Sequence, residues 1–192
     1  MRSFDPRSVG KLECRAWETY YRRKWGTFLV ASVGLVRAAF EMGWRDTLAG
    51  AWLVLRANQK WAPFPDNDPT AARRLMTSFY RRLAASEKAS FDPVRAADLE
   101  VEWWRAHREA QHDGGPGSAS ADELISALAN LYSYTYGVEA ADVRPAAALR
   151  AEAMDVSDRW VEAGCDPSDP RLADERALLV RSYSSLLAAV HR

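Results

Sequence analysis

Apolar residues recur at three- to four-residue spacing along most of this chain, the period of a helix that turns one face toward a core. From Pro6, Cys14, Trp17, Tyr21, Trp25 and Phe28 form one such stripe. A second apolar stretch runs from Phe28 to Met42 and stops at Gly43, a residue suited to a helix end. A third helix is predicted over 44–61, a loop at Pro63-Phe64-Pro65-Asp66-Asn67, and a fourth helix over 69–86 with Leu75, Phe79 and Leu83 on one side. Between the first two stretches the sequence offers only Gly26-Thr27 as a break. Helix connections usually need about two to eight residues outside the helices, so one long bent helix is expected there.

After a polar link, 87–90, the pattern starts again. A helix reaches about His112 and ends at Asp113-Gly114-Gly115-Pro116-Gly117. Ser120 and Glu123 form a capping box for a helix carrying Leu124, Ile125, Leu128, Leu131, Tyr132 and Tyr136. Pro145 is expected to open a helix ending near Trp160, and Pro170 to open the last.

The restart is also a repeat. Phe4-Asp5-Pro6, Leu12-Glu13 and Trp17 return as Phe91-Asp92-Pro93, Leu99-Glu100 and Trp104 at a constant spacing of 87. Part of this is helix-start grammar, because Asp caps a helix, Pro suits its first position, and Phe4 can staple onto Val9. The echo continues, however. Leu29, Leu35 and Phe40 fall on Ile125, Leu131 and Tyr136 at a spacing of 96, Lys60-Trp61 on Arg159-Trp160 at 99, and Leu75, Ser78 and Leu83 on Leu179, Ser182 and Leu187 at 104. The expectation is an all-α single domain of seven to eight helices over 1–192, duplicated internally as 4–88 and 91–192, with two pseudo-symmetric bundle halves sharing one core.

Composition adds two things. Eight Trp and seven Tyr bring large apolar areas with one polar tip each, suited to a core or an interface. Net charge is zero, but residues 1–90 hold 16 Lys and Arg against 8 Asp and Glu, and residues 91–192 hold 10 against 18, so the halves carry +8 and −8. Such a split could draw the halves together or give the first an anionic partner. The longest apolar run, 28–36, stops at Arg37, well short of the ~20 residues that cross a bilayer. Two cysteines without CxxC spacing and no apolar leader point to a reduced, cytoplasmic protein.

Glu13 and Glu100 sit beside the Trp-bearing stripes at equivalent places. About a pseudo-twofold axis they could approach each other, as a paired acid site or metal ligands, or be held by arginines such as Arg56 and Arg181. Tyr20 and His107 lie seven residues after the two glutamates, about 10 Å along a helix, too far for one metal ion. Glu109-Ala110-Gln111-His112 has the Glu-x-x-His spacing of di-iron bundles but no second copy. Tyr20-Tyr21-Arg22-Arg23-Lys24-Trp25 mixes cations and aromatics, read as a solvated basic face beside an apolar stripe. No nucleophile elbow and no phosphate loop is present.

The wording of Trp52 to Trp61 and of Leu99 to His107 resembles an uncharacterised all-helical family found in actinobacteria. That resemblance spans nearly the whole chain and implies the helical fold without implying an activity. The functional expectation is a non-catalytic binding or interaction module, for a protein partner or a small ligand held between the halves, with a homodimer possible and no cofactor. The residues expected to bind are Glu13, Trp17, Tyr20, Arg56, Glu100, Trp104 and His107. Two alternatives stand beside it. One is a haem or metal carrier or enzyme using His107 or His112 with Glu100, and the other is binding of an anionic membrane or nucleic-acid surface by the basic half.

Overall fold

The computed structural model describes residues 3–113 and 119–192, so the glycine-rich segment after Asp113 lies outside the described residues. Eight helices follow one another: α1 (Pro6–Tyr21), α2 (Trp25–Ala39), α3 (Trp44–Trp61), α4 (Pro69–Glu87), α5 (Pro93–Asp113), α6 (Ala119–Tyr136), α7 (Ala140–Glu162) and α8 (Arg171–Val190). The described residues form no strand.

The expected start signals work locally. Asp5 accepts hydrogen bonds from the Arg7 and Ser8 backbone N–H groups ahead of Pro6, and Asp68 accepts one from Ala71 ahead of Pro69. Two starts differ. α7 begins at Ala140 and takes Pro145 into its first turns. Ser120 lies inside α6, and Glu123 turns outward to receive Arg105 Nη2 at 2.6 Å.

The first two helices are not one bent rod. α1 stops at Tyr21 and the chain reverses through Arg22-Arg23-Lys24, so that α2 packs back along α1. Arg23 adopts a left-handed φ of 55°, which turns the backbone in a single residue. Its guanidinium donates to the Ala62 carbonyl at 3.2 Å and covers the Tyr20 and Trp25 rings. The segment read as a basic face is therefore a turn, and Gly26-Thr27 belongs to α2.

Each helix packs on the next, and α8 returns to pack on α1, so the eight helices close into a ring. Consecutive helices alternate in direction. One end gathers Ser3, Glu41, Glu87, Phe91, Gly137 and His191, and the other Tyr21, Arg23, Phe64 and Gln111. Closure depends on small residues: a Cβ on Gly10 would stand 2.8 Å from the Val180 backbone nitrogen, so α1 and α8 meet at backbone contact there. Ion pairs joining residues 4–88 to 91–192 include Arg73 with Asp98 at the surface and Glu13 with Arg150 inside. The inner pair draws its acid from the basic half, the reverse of what the charge split suggests.

Candidate functional site

A ring of antiparallel helices has an axis, and here the axis is hollow. A cavity of about 210 Å³ at mid-height is walled by side chains from all eight helices, among them Glu13, Ser32, Asn58, Tyr80, Glu100 and Arg150. A second cavity of about 280 Å³ continues it toward the end that holds Arg23 and Phe64. Trp17, Phe28, Asn58, Trp103 and Trp104 line both.

Two carboxylates stand in the mid-height cavity, and each accepts a tyrosine hydroxyl from the helix preceding it in the ring. Tyr183 on α8 donates to Glu13 Oε2 at 2.7 Å, and Tyr80 on α4 donates to Glu100 Oε2 at 2.6 Å. Beyond that their surroundings differ. Glu13 receives Arg150 Nη2 on Oε1 at 2.5 Å. Among the described residues Glu100 receives, besides Tyr80, only the neutral Trp104 Nε1, at 3.1 Å. Trp103 Nε1 approaches Glu100 without reaching hydrogen-bond geometry.

Arg150 is the centre of the site. It is 8% exposed, stacks 4.7 Å above the Trp103 ring and donates from Nη1 to Tyr132 at 3.3 Å. Burial works against its charge, but Glu13 and the surrounding tyrosine hydroxyls outweigh that and hold its pKa well above the ordinary value. Burial pushes the Glu100 carboxyl above its usual range, against the Tyr80 hydrogen bond and the more distant Arg150. Tyr183 and Tyr80 are raised well above theirs, by burial first and by Glu13 and Glu100 next.

The polar groups of both cavities are incompletely satisfied. Buried polar atoms are nearly always hydrogen-bonded in folded proteins. Apart from the Glu175 oxygens, the buried side-chain polar atoms without a partner among the described residues belong to Ser32, Trp103, Arg108, Arg150 and Ser157, and each of these lines one or both cavities.

Of the residues singled out in the sequence, the structure brings Glu13, Trp17, Glu100 and Trp104 together around the mid-height cavity. Tyr20 and His107 line the second. His107 Nε2 lies 3.1 Å from Asp158 Oδ2, so it belongs to a different polar cluster from Glu100. Arg56 does not join the site. It is exposed on the outside of α3 and donates to Gln59 at 3.2 Å, because Val54 and Asn58 occupy the inward side of that helix. Arg181 is exposed as well. The His112 side chain lies outside the described ones, and among the described residues no group of His, Cys, Asp and Glu is arranged to hold a metal ion.

Arg150 was missed, although a signal existed. It stands on the stripe Val143, Ala146, Ala147, Ala153, Met154, Ser157 and Trp160, all buried, and a lone arginine at helical spacing among such residues has to find an acid inside. Tyr132 was legible only as a member of an apolar stripe, and only the closed ring aims its hydroxyl, with those of Tyr80 and Tyr183, at the axis.

No family model matches the chain, and neither a curated protein nor a solved structure matches it. Among the described residues no helix is long and apolar enough to cross a membrane.

Proposed function

We propose that this protein binds a small molecule in the axial cavity, without catalysing a reaction on it. One observation carries the reading: among the described residues, those whose buried polar side-chain atoms are left unpartnered, Glu175 aside, all line the two contiguous cavities of the ring. A ligand bearing hydrogen-bonding groups on an apolar body would satisfy them, and the many rings of the wall suit such a body. At about 210 Å³ the inner cavity exceeds the ~150 Å³ that suffices for a benzene molecule. The ligand would then lie between two halves of common origin, a duplication supported by the like contacts of Tyr183 with Glu13 and Tyr80 with Glu100, though the two tyrosines stand one position apart in the register of α4 and α8.

Thermal unfolding with millimolar 3-phenylpropan-1-ol tests this. The alcohol should raise the midpoint of the native protein and leave unchanged that of Leu131→Trp, in which the cavity wall is filled. No shift with the native protein would sink the reading.

A second reading, docking of a protein partner, is favoured by Trp44, Leu48 and Trp52. They repeat every fourth residue on the outside of α3 and are 62, 54 and 52% exposed. Val30 on the adjacent α2 is exposed too, and Arg37 covers Trp44 from the same helix. Contiguous exposed apolar surface of this kind marks interaction sites. Trp52→Glu should leave unfolding unchanged and abolish any complex, the homodimer included, seen by native mass spectrometry; a complex that persists excludes this face.

A further inference from the structure

We infer that the axial cavity takes a small amine in its protonated form, the ammonium seating on Glu100 against the Tyr80 and Trp104 side chains. This rests on the cavity being a ligand site and says what kind of ligand enters.

The argument begins with the charges that face the cavity. Glu13, Glu100 and Arg150 are the acidic and basic side chains that line it, two acids to one base. Glu13 and Arg150 neutralise each other by direct contact. Glu100 holds two hydrogen bonds, from Tyr80 and Trp104, and both donors are neutral. Those donors orient a carboxylate without neutralising it, and Arg150 acts on it only from a distance, so the site favours a proton or a cation placed directly on Glu100.

The repeat shows which counter-ion is missing. In the register that places Lys60-Trp61 on Arg159-Trp160, Arg150 falls on Ala51. The tyrosine partner is present for both glutamates, while the guanidinium is present for one. Ala51 is fully buried and far too short to reach Glu100. A cation from outside the chain takes the place the second arginine would have filled.

The wall around Glu100 favours an organic cation. Tyr80 packs edge-on against Phe79 and Phe91, and Trp104 meets Trp103 edge-on and Trp61 at a tilt of 56°. Such rings give the carbon chain of an organic cation an apolar wall beside the carboxylate. The unpartnered Arg150 Nε and Trp103 Nε1 call for an acceptor on the same molecule, such as the hydroxyl of an amino alcohol.

Titration calorimetry with three probes of one shape provides the test: phenylalaninol, 3-phenylpropan-1-ol, which lacks only the amine, and 3-phenylpropanoate, which carries the opposite charge. Phenylalaninol should bind at least about tenfold more tightly than the alcohol, and the carboxylate should be the weakest of the three. Glu100→Gln should bring phenylalaninol down to the level of the alcohol measured on the same variant. The inference is overturned if the alcohol or the carboxylate equals the amine, or if the preference survives in Glu100→Gln. Should that variant fail to fold, the ratio measured on the native protein decides. Binding of the alcohol without an amine preference overturns this inference alone, whereas no binding by any probe overturns the ligand site as well.

Discussion

Arg150 on α7 and Glu13 on α1 form an ion pair of 2.5 Å between helices that are not neighbours in the ring, with 10% and 4% of their side chains exposed. The pair spans the space inside α8, and the Tyr183 hydroxyl from that helix closes it on the second Glu13 oxygen. Removing one member would strand the other charge in an apolar wall. Arg150→Met should therefore lower stability by about 3–5 kcal/mol, and the double variant Arg150→Met, Glu13→Leu should recover most of it. Chemical denaturation of both singles and the double, read as a mutant cycle, checks this; additive losses would show that the pair acts as two separate packing groups.

Glu175 has no such partner. It is fully buried on α8 and neither oxygen makes a hydrogen bond among the described residues, although the Cys14 thiol and the Ser157 hydroxyl lie close. Burial above all raises its carboxyl from 4.5 to about 8. A carboxyl raised on folding is protonated in the folded protein and ionised in the unfolded chain between those values. Its stability contribution is thus fully present below pH 4.5 and is lost as pH rises to about 8. The slope should approach about 1.4 kcal/mol per pH unit. Glu175→Gln should flatten it, so the variant gains on the native protein steadily from pH 5 to pH 8 in denaturation experiments; parallel curves would contradict the assignment.

The two thiols should behave differently. Burial, with Glu175 beside it, pushes Cys14 up to about 12, and its Sγ donates to the Leu172 carbonyl at 3.5 Å. Cys165 lies in the α7–α8 connection, only partly buried. Iodoacetamide at pH 8 should modify Cys165 in the native protein and reach Cys14 only after unfolding. Peptide mapping by mass spectrometry would read this, and equal labelling of both thiols would refute the packing around Cys14.

Gly10 sets how closely the ring shuts. Alanine there would gain about 1 kcal/mol in helix propensity but place its Cβ 2.8 Å from the Val180 backbone nitrogen. Backbone cannot yield as a flexible side chain can. Gly10→Ala should cost about 1–3 kcal/mol net, seen as a lower denaturation midpoint, whereas Gly26→Ala, with nothing within 4 Å, should stabilise slightly. Equal effects at the two positions would argue against backbone contact between α1 and α8.

What the chain determined by itself is the helical class, most helix boundaries, and the two carboxylates. Period, caps and prolines act within a few residues, so Asp5-Pro6, Asp68-Pro69 and the Leu75, Phe79, Leu83 stripe of α4 are legible in one dimension. Glu13 and Glu100 stood out because acids beside an apolar stripe are conspicuous at any level of description. The reversal at Arg23 was not legible, since a left-handed arginine is held by groups as remote as the Ala62 carbonyl. Nor was the meeting of Arg150 with Glu13, which are 137 positions apart, or the exclusion of Arg56, which depends on which side of α3 faces the axis. Tertiary structure decided these because closing eight helices into a ring fixes the rotation of every helix about its own axis at once. That rotation, and no local preference, places one arginine in contact with one glutamate and, among the described residues, none in contact with the other.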